Sequence, residues 1–324
     1  MKAALCKTLD GPDAIVIEDL PDPVAGPGEA VVRVKAAALN FFDTLLTRGK
    51  YQYKPPLPFS PVAEIAGIVE SVGPGVSDVK PGMRVCGYPG FGGAREKVVI
   101  KADVLVPVPD SVSDEAASGI TVTYGTGMHG LRDRGMVQKG ESVAVLGASG
   151  GAGLAAVELA KLMGARVIAA ASSDDKLAIC KQHGADAVLN YATQDLKQGL
   201  RDLTDGRGVD VIYDCVGGDY AEPALRSMAW GGRFLVIGFA AGSIPKIPLN
   251  LTLLKSCSIV GVFWGEAARR DPAGHRANMA QVLAWVAEGR LKPHVHARYS
   301  LERTAEAIKS LETRQVAGKV ILTL

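Results

Sequence analysis

A chain of 324 residues with 48% hydrophobic and 22% charged positions has the balance of a globular protein, which excludes disorder and collagen-like or low-complexity character. Lys and Arg number 36 against 34 Asp and Glu, and a net charge of +2 directs the chain to neither nucleic acid nor an anionic membrane. Five scattered cysteines (Cys6, Cys86, Cys180, Cys215, Cys257), none forming a CxxC pair, argue against a disulfide framework and a cysteine-rich zinc lobe.

A reducing compartment is therefore expected. The N-terminal segment has no sustained apolar stretch, and no apolar run reaches the roughly 18 residues that cross a bilayer. These observations together predict a cytoplasmic protein with no membrane association. At about 150 residues per domain the length suggests two domains.

In chain order, the first third consists of short strand-like segments at 30–38, 65–72, 84–87, 98–100 and 104–108, broken by Gly73-Pro74-Gly75 and Pro81-Gly82. Short β segments at this spacing predict a barrel-like or sandwich-like domain. From about Ser111 the period changes. Ser113 is placed to cap a helix, with Asp114 and Glu115 favourably set in its first turn.

Strands at 142–147, 166–171, 186–191, 209–214, 233–238 and 258–263 then alternate with segments each long enough for a helix. Continuous apolar runs such as VAVLG, VDVIYD and FLVIG suit a sheet covered on both faces, and the alternation predicts an α/β, doubly wound parallel sheet. Further on, Met279, Val282, Leu283 and Val286 fall on one helical face that ends near Gly289. A second helix is expected at 301–311 and a last strand at 319–324. That strand is expected to return to the N-terminal domain, making it discontinuous: 1–122 completed by 268–324, around a nucleotide domain at 123–267.

The strongest chemical signal is the strand–turn–helix–strand passage at 142–176. Its turn reads Gly147-Ala148-Ser149-Gly150-Gly151-Ala152-Gly153. Glycines let the backbone turn tightly and approach a pyrophosphate, while the helix N-terminus offers free N–H groups and the positive end of its dipole. The G-x-x-G-x-x-G spacing is one residue longer than the dinucleotide fingerprint, but its context is the one that motif requires. A glycine-rich turn serving helix–sheet packing is the alternative.

Which nucleotide is legible at the end of the second strand. An NAD site places an acid there, about 20 residues past the glycines, to hold the ribose hydroxyls. Here the strand ends Ala171-Ser172-Ser173, and Lys176 follows. Two hydroxyls and an ammonium suit a 2′-phosphate, so NADP (as NADPH) is the expected cofactor. Against this stand Asp174 and Asp175, which serve equally well at a helix start, and the ordinary role of Lys176 as a solvated helix lysine.

These residues, and others on both sides, resemble the medium-chain dehydrogenase/reductase superfamily. Within it they are most like the zinc-free NADPH:quinone oxidoreductase branch that includes the zeta-crystallins. The likeness runs the length of the chain: AAALNFFDTLLTRGKY at 36–51, IAGIVESVGPG at 65–75, VKPGMRVCG at 79–87, GITVTY at 119–124, ADAVLNY at 185–191, DVIYDCVG at 210–217, GGRFLVIG at 231–238 and AGKVIL at 317–322. The resemblance implies a discontinuous, mainly-β GroES-like domain, a Rossmann domain and a cleft between them.

The resemblance also permits a test for zinc. Zinc-dependent relatives carry a Cys in the segment matching 37–43 and a Gly-His-Glu matching Val62-Ala63-Glu64. This chain has no Cys near Asn40, and Ala63 stands where His would be. Glu64 alone cannot build a tetrahedral site. Among the histidines, His294 and His296 could share a strand face but lack a third ligand. His129 and His183 read as ordinary helix residues and His275 as a loop residue. No metal is expected.

The family's roles carry over position by position. Asn40 and Asp43 match its polar pair near the nicotinamide, with turn capping as the alternative. Tyr51 matches the tyrosine beside the nicotinamide and substrate, with Tyr53 as competitor. These three are the candidate catalytic residues.

The candidate cofactor residues begin at Thr121 and Tyr124, which match the hinge. Gly150, Gly151, Ala152 and Gly153 form the phosphate turn, and Ser172, Ser173, Lys176 and Tyr191 surround the adenosine phosphate. Gly238, Phe239, Phe263 and Trp264 follow the fifth and sixth strands, where core or dimer contacts are the alternative. Arg314 completes the set, or else it is an exposed helix-end arginine. Two departures stand out: Pro61-Val62-Ala63-Glu64 lacks a glycine common in the branch, and Arg95 replaces a small or aromatic residue. Arg95 either greets an anionic substrate or sits in solvent.

The resemblance implies an NADPH-dependent, zinc-independent reductase that passes reducing equivalents to a small electrophilic acceptor, a quinone. A 2-enoyl thioester or enone reductase of the same fold is the near alternative, and a non-catalytic NADPH-binding protein the distant one. A homodimer is expected, because the apolar strand SIVGVF would otherwise form an exposed sheet edge.

Overall fold

The computed structural model describes all of residues 1–324. Chain contacts divide it into two compact units, one of Met1–Val122 with Ala268–Leu324 and one of Thr123–Ala267.

The first unit opens with β1 (Lys2–Cys6) and β2 (Ile15–Asp19), then β3 (Glu29–Leu39), α1 (Phe41–Leu46), β4 (Glu64–Val72), β5 (Arg84–Gly87), β6 (Lys97–Lys101), β7 (Val106–Pro107), α2 (Asp114–Ser118) and the start of α3 (Thr121–Gly127). β1 and β2 form a separate antiparallel pair that the sequence reading did not anticipate. KAALC is short, and nothing in its own pattern distinguishes a strand from a capped turn. Ser113 caps α2 as expected, accepting from the Ala116 N–H at 3.2 Å.

The second unit runs β8 (Ser142–Leu146), α4 (Gly151–Leu162), β9 (Arg166–Ala171), α5 (Asp174–Gln182), β10 (Ala187–Asn190), α6 (Leu196–Asp202), β11 (Val209–Asp214), α7 (Ala221–Arg226), β12 (Met228–Val236), α8 (Asn250–Lys255), β13 (Ser258–Gly261) and α9 (Trp264–Arg270). Its six strands lie in the order β10-β9-β8-β11-β12-β13, and every pairing is parallel. This is the doubly wound arrangement, with β8 central and the order reversing beside it. Every residue of β8 is buried, as are the last five of β9. A strand covered by helices on both faces needs no polar alternation.

The chain then returns to the first unit through α10 (Pro272–Ala287), β14 (Val295–Ser300), α11 (Thr304–Glu312) and β15 (Lys319–Thr323). β15 pairs antiparallel with β3, so the end of the chain is hydrogen-bonded into the sheet built at its beginning. That mixed sheet has seven strands, with β14-β15-β3-β4-β5-β7 in line and β6 also on β3. Its core includes Val32, Val34, Ile65, Val69, Val85, Ile100, Leu105, Ile308 and Leu322.

The strand expected at 104–108 is only Val106–Pro107, after a short 3-10 turn at Ala102–Val104, and the one expected at 233–238 runs Met228–Val236. Three further details differ from the sequence reading. The strand expected at 186–191 spans only Ala187–Asn190, and just before it the Asp186 carboxylate accepts from the Val167 N–H at 2.8 Å and pairs with Lys161. The strand expected at 258–263 stops at Gly261. His275 is not a loop residue: it is buried within α10, whose Asp271 cap and Pro272 start the helix before it.

Candidate functional site

In the first unit, β3 runs out at Leu39 and Asn40 stands extended before α1. Asp43, fully buried, ties this corner together. One carboxylate oxygen accepts from the Asn40 N–H at 2.8 Å and the other from the Val62 N–H at 3.2 Å. Val62 has φ +71°, a left-handed conformation strongly disfavoured for a β-branched side chain. The Asp43 contact and complete burial hold it there. Burial pushes the Asp43 carboxyl up to about 7, opposed by the two N–H donors and the Lys319 charge and reinforced by Glu64.

The Asn40 side chain is wholly engaged by the protein. Its Nδ2 donates to Glu64 Oε1 at 2.9 Å, and its Oδ1 accepts from Lys319 Nζ at 2.7 Å. Lys319 Nζ also donates to Glu64 Oε1 at 2.8 Å and to the Leu39 carbonyl at 2.6 Å. Glu64 Oε2 accepts from the Val122 N–H at 2.8 Å. Glu64 is 0% and Lys319 6% exposed, so this is a buried ion pair in which all three ammonium protons and both carboxylate oxygens have partners.

Tyr51 is different. Its ring stacks on Phe42, with centroids 5.2 Å apart, and no group of the protein engages its hydroxyl. Burial, and then the Asp43 charge, push its phenol upward. Burial pushes Tyr88 upward too, with Tyr51, Asp43 and Glu64 adding to the effect. The competitor Tyr53 is exposed and packs its ring against Phe91, which meets Phe59 edge-on. Thr121 is buried beside Cys86. Arg314 is exposed past the end of α11, at φ +56°. Arg95 does not sit in solvent: its Nε is buried with no hydrogen-bond partner, and burial lowers its pKa.

In the second unit, the glycine turn takes the form its residues allow. Gly147 has φ +70°, which favours glycine. At Gly153, in the first turn of α4, a Cβ would stand 2.2 Å from the Gly147 carbonyl oxygen and 2.7 Å from Ala148 Cα, so only glycine lets the helix seat on the turn. Gly150 caps α4 in an extended conformation, and its Cβ would meet only the Gly147 oxygen at 3.5 Å. Gly151 and Ala152 complete the first turn, so the N-terminal N–H groups of α4 are presented at the turn.

Beside the turn, β9 ends at Ala171, leaving Ser172 exposed and Ser173 as the cap of α5, with Lys176 in its first turns. Tyr191 is placed next to them, since its N–H donates to the Ala171 carbonyl and its ring packs on Tyr220 at 4.6 Å. Asp174 accepts from Asn190 Nδ2 at 2.9 Å, so that carboxylate already has a protein partner. After β12, Phe239 lies against Gly217 in a position a Cβ would contest at 2.8 Å, with Gly238 before it. Phe263 is 64% exposed, whereas Trp264 is buried against Gly125 on α3. Tyr124 is buried, and its hydroxyl donates to Glu158 Oε2 at 2.6 Å; His183 Nδ1 meets the other oxygen of that carboxylate at 2.7 Å.

With this geometry in place, comparison with known proteins is decisive. The profile described as "Alcohol dehydrogenase GroES-like domain" matches residues 26–110, and "Zinc-binding dehydrogenase" matches 151–288. The rat "Quinone oxidoreductase-like protein 2" is 39% identical over 324 residues, covering 100% of this chain and 92% of that protein. The chain belongs to the medium-chain dehydrogenase/reductase family. Its quinone oxidoreductase members are among the relatives: rat "Quinone oxidoreductase" is 30% identical over 100% of this chain and 98% of its own. The crystal structure of Escherichia coli quinone oxidoreductase complexed with NADPH superposes with a TM-score of 0.93 at 28% identity, over the whole of both chains.

Membership in a family with zinc-binding members makes the donor set worth testing. Asn40 and Ala63 supply no metal ligand, and both oxygens of Glu64 are taken by Lys319, Asn40 and Val122. Nowhere do three His, Cys, Asp or Glu side chains meet in a way that could hold a metal ion. These residues do not fit a zinc site. No helix is long and apolar enough to cross a membrane.

Sequence reading missed three participants: Lys319, the bridging role of Glu64, and the Tyr124–Glu158–His183 chain. A signal for them existed. Lys319 and Glu64 each interrupt or open an apolar strand, and Glu158 breaks the run GLAAVELA. Charges inside segments destined for burial call for partners.

Proposed function

We propose that this family member is an NADPH-dependent, zinc-independent reductase whose acceptor is a quinone. The observation that carries the proposal is the pairing of the glycine turn, shaped at Gly147 and Gly153, with a β9 end that offers Ser172, Ser173 and Lys176 in place of an acid. The NADPH named with the Escherichia coli structure supports the cofactor assignment. Gly150, Gly151, Ala152 and Gly153 would hold the pyrophosphate on the N-terminus of α4. Ser172, Ser173, Lys176 and Tyr191 would surround the 2′-phosphate. Thr121, Tyr124, Gly238, Phe239, Phe263, Trp264 and Arg314 are assigned to the cofactor's remaining surroundings; of these, Thr121, Tyr124 and Trp264 act through packing, since all three are buried.

When bound, the dihydronicotinamide supplies a hydride. The protein's part is to bind, orient and exclude water. A quinone is electrophilic enough to need a hydrogen-bond donor more than a Lewis acid. Tyr51 is assigned that role, as its hydroxyl is uncommitted and its ring is fixed on Phe42. Asn40 and Asp43 are assigned to shaping the corner, since their polar atoms are spent on neighbours.

A homodimer is part of the proposal. β13 ends the six-stranded sheet with Ile259 39% exposed, and Leu253 before it and Phe263 after it in the chain are exposed as well. Ile259→Glu should then yield monomers in light scattering.

The direct test is steady-state NADPH consumption with an ortho-quinone, beside a short 2-enoyl thioester and a blank without acceptor. Turnover with the quinone alone is expected. Turnover with the thioester alone would keep the cofactor and change the acceptor. Tight NADPH binding with no turnover would favour a binding protein.

A further inference from the structure

We infer that the buried Glu64–Lys319 pair is a positioning device, which sets the Asn40 amide and the Val122 N–H at the point where the chain leaves the first unit. The inference rests on the reductase reading above and adds to it two residues that this reading does not use.

The geometry is closed. Lys319 Nζ has three acceptors for its three protons: the Leu39 carbonyl, Asn40 Oδ1 and Glu64 Oε1, at 2.6, 2.7 and 2.8 Å. Glu64 spreads its two oxygens over Lys319, Asn40 and the Val122 N–H. The pair therefore joins the end of β3, the start of β4, the start of β15 and the first turn of α3. The Lys319 stem runs past Gly119, where a Cβ would lie 3.3 Å from its Cγ, so the side chain has little room to swing.

Stability alone is a poor reason for this arrangement. Removing both charges from water costs about as much as their attraction returns, and apolar residues of similar volume commonly fold as well or better. What apolar residues cannot do is fix the direction of an amide. With Oδ1 facing an ammonium and Nδ2 facing a carboxylate, the Asn40 amide has one orientation, since a flip would set donor against donor. The same carboxylate holds the Val122 N–H in the first turn of α3. A fixed internal cation thus organises the corner where zinc-dependent relatives carry metal ligands.

Single replacements leave one buried charge uncompensated and are prone to misfold, so the test uses the double variant Glu64→Gln/Lys319→Met. It should fold with a melting temperature close to that of the parent. Its KM for NADPH should stay near the parent value while kcat with the quinone falls at least about tenfold, roughly 1.4 kcal/mol of transition-state stabilisation. Because the pair acts through Asn40, adding Asn40→Ala to the double variant should cost nothing further. Amide hydrogen exchange across 119–125 should quicken. A well-folded double variant with parental kcat overturns the inference, as does a multiplicative loss on adding Asn40→Ala. If the parent itself turns over no acceptor, the reductase reading fails, and the exchange measurement still decides: unchanged protection at Val122 overturns the positioning role, and faster exchange upholds it.

Discussion

Replacing Gly153 by Ala separates the two jobs of the glycine turn. The new methyl would lie 2.2 Å from the Gly147 carbonyl oxygen, with the Ala148 backbone at 2.7 and 2.8 Å, and neither is a flexible side chain that can step aside. To restore ordinary contact, α4 must retreat from the turn by about 1 Å, an overpacking strain worth about 1–3 kcal/mol. The higher helix propensity of Ala returns up to about 1 kcal/mol. A net loss of about 1–2 kcal/mol lowers Tm by about 1–3 °C in a protein of this size. The displaced helix N-terminus should also weaken NADPH binding at least about tenfold, since phosphate-binding N–H groups act only at close range.

Gly150→Ala is the control. Its methyl meets only one oxygen at 3.5 Å and its backbone is extended, so stability should stay within about 0.5 kcal/mol while NADPH binding falls. Thermal unfolding and fluorescence titration with NADPH read both quantities. Parental Tm and parental affinity in Gly153→Ala would refute the packing argument. Parental affinity in Gly150→Ala would mean that no phosphate approaches the turn at that residue.

Three further outcomes are expected. Tyr213 is fully buried with an unpartnered hydroxyl, so Tyr213→Phe should be neutral or stabilising by up to about 1–2 kcal/mol in denaturant melts, and clear destabilisation would reveal a hidden partner for the hydroxyl. Asp43, raised to about 7, binds a proton in the folded state that an unfolded aspartate releases near pH 4, so its contribution is greatest at low pH and is lost as pH rises towards 7; the stability difference between the parent and Asp43→Asn should therefore shrink between pH 5 and pH 8, and a difference that grows would contradict the assignment. Lys176→Glu should weaken NADPH far more than NADH in parallel titrations, and equal losses would remove Lys176 from the phosphate site.

Much of this protein is decided locally. The runs VAVLG and VIAAA are apolar without alternation, and only a sheet covered on both faces can use them, so the parallel fold is legible before any contact is known. The glycine turn is legible for the same reason: tight turning and close helix approach demand missing side chains at particular positions, whatever surrounds them.

The polar corner of the first unit is another matter. Asn40, Glu64, Val122 and Lys319 are as much as 279 residues apart, and what each does depends on β15 pairing with β3 and placing Lys319 over Leu39. Asn40 read alone could be a catalytic amide or a cap, and Glu64 a leftover acid. Only the tertiary structure shows their polar atoms spent on one another and Tyr51 left uncommitted. The physical reason is range: backbone preference and hydrophobic period act over a few neighbouring residues, whereas the environment of a buried charge is made by whichever distant segments the fold brings within hydrogen-bond reach.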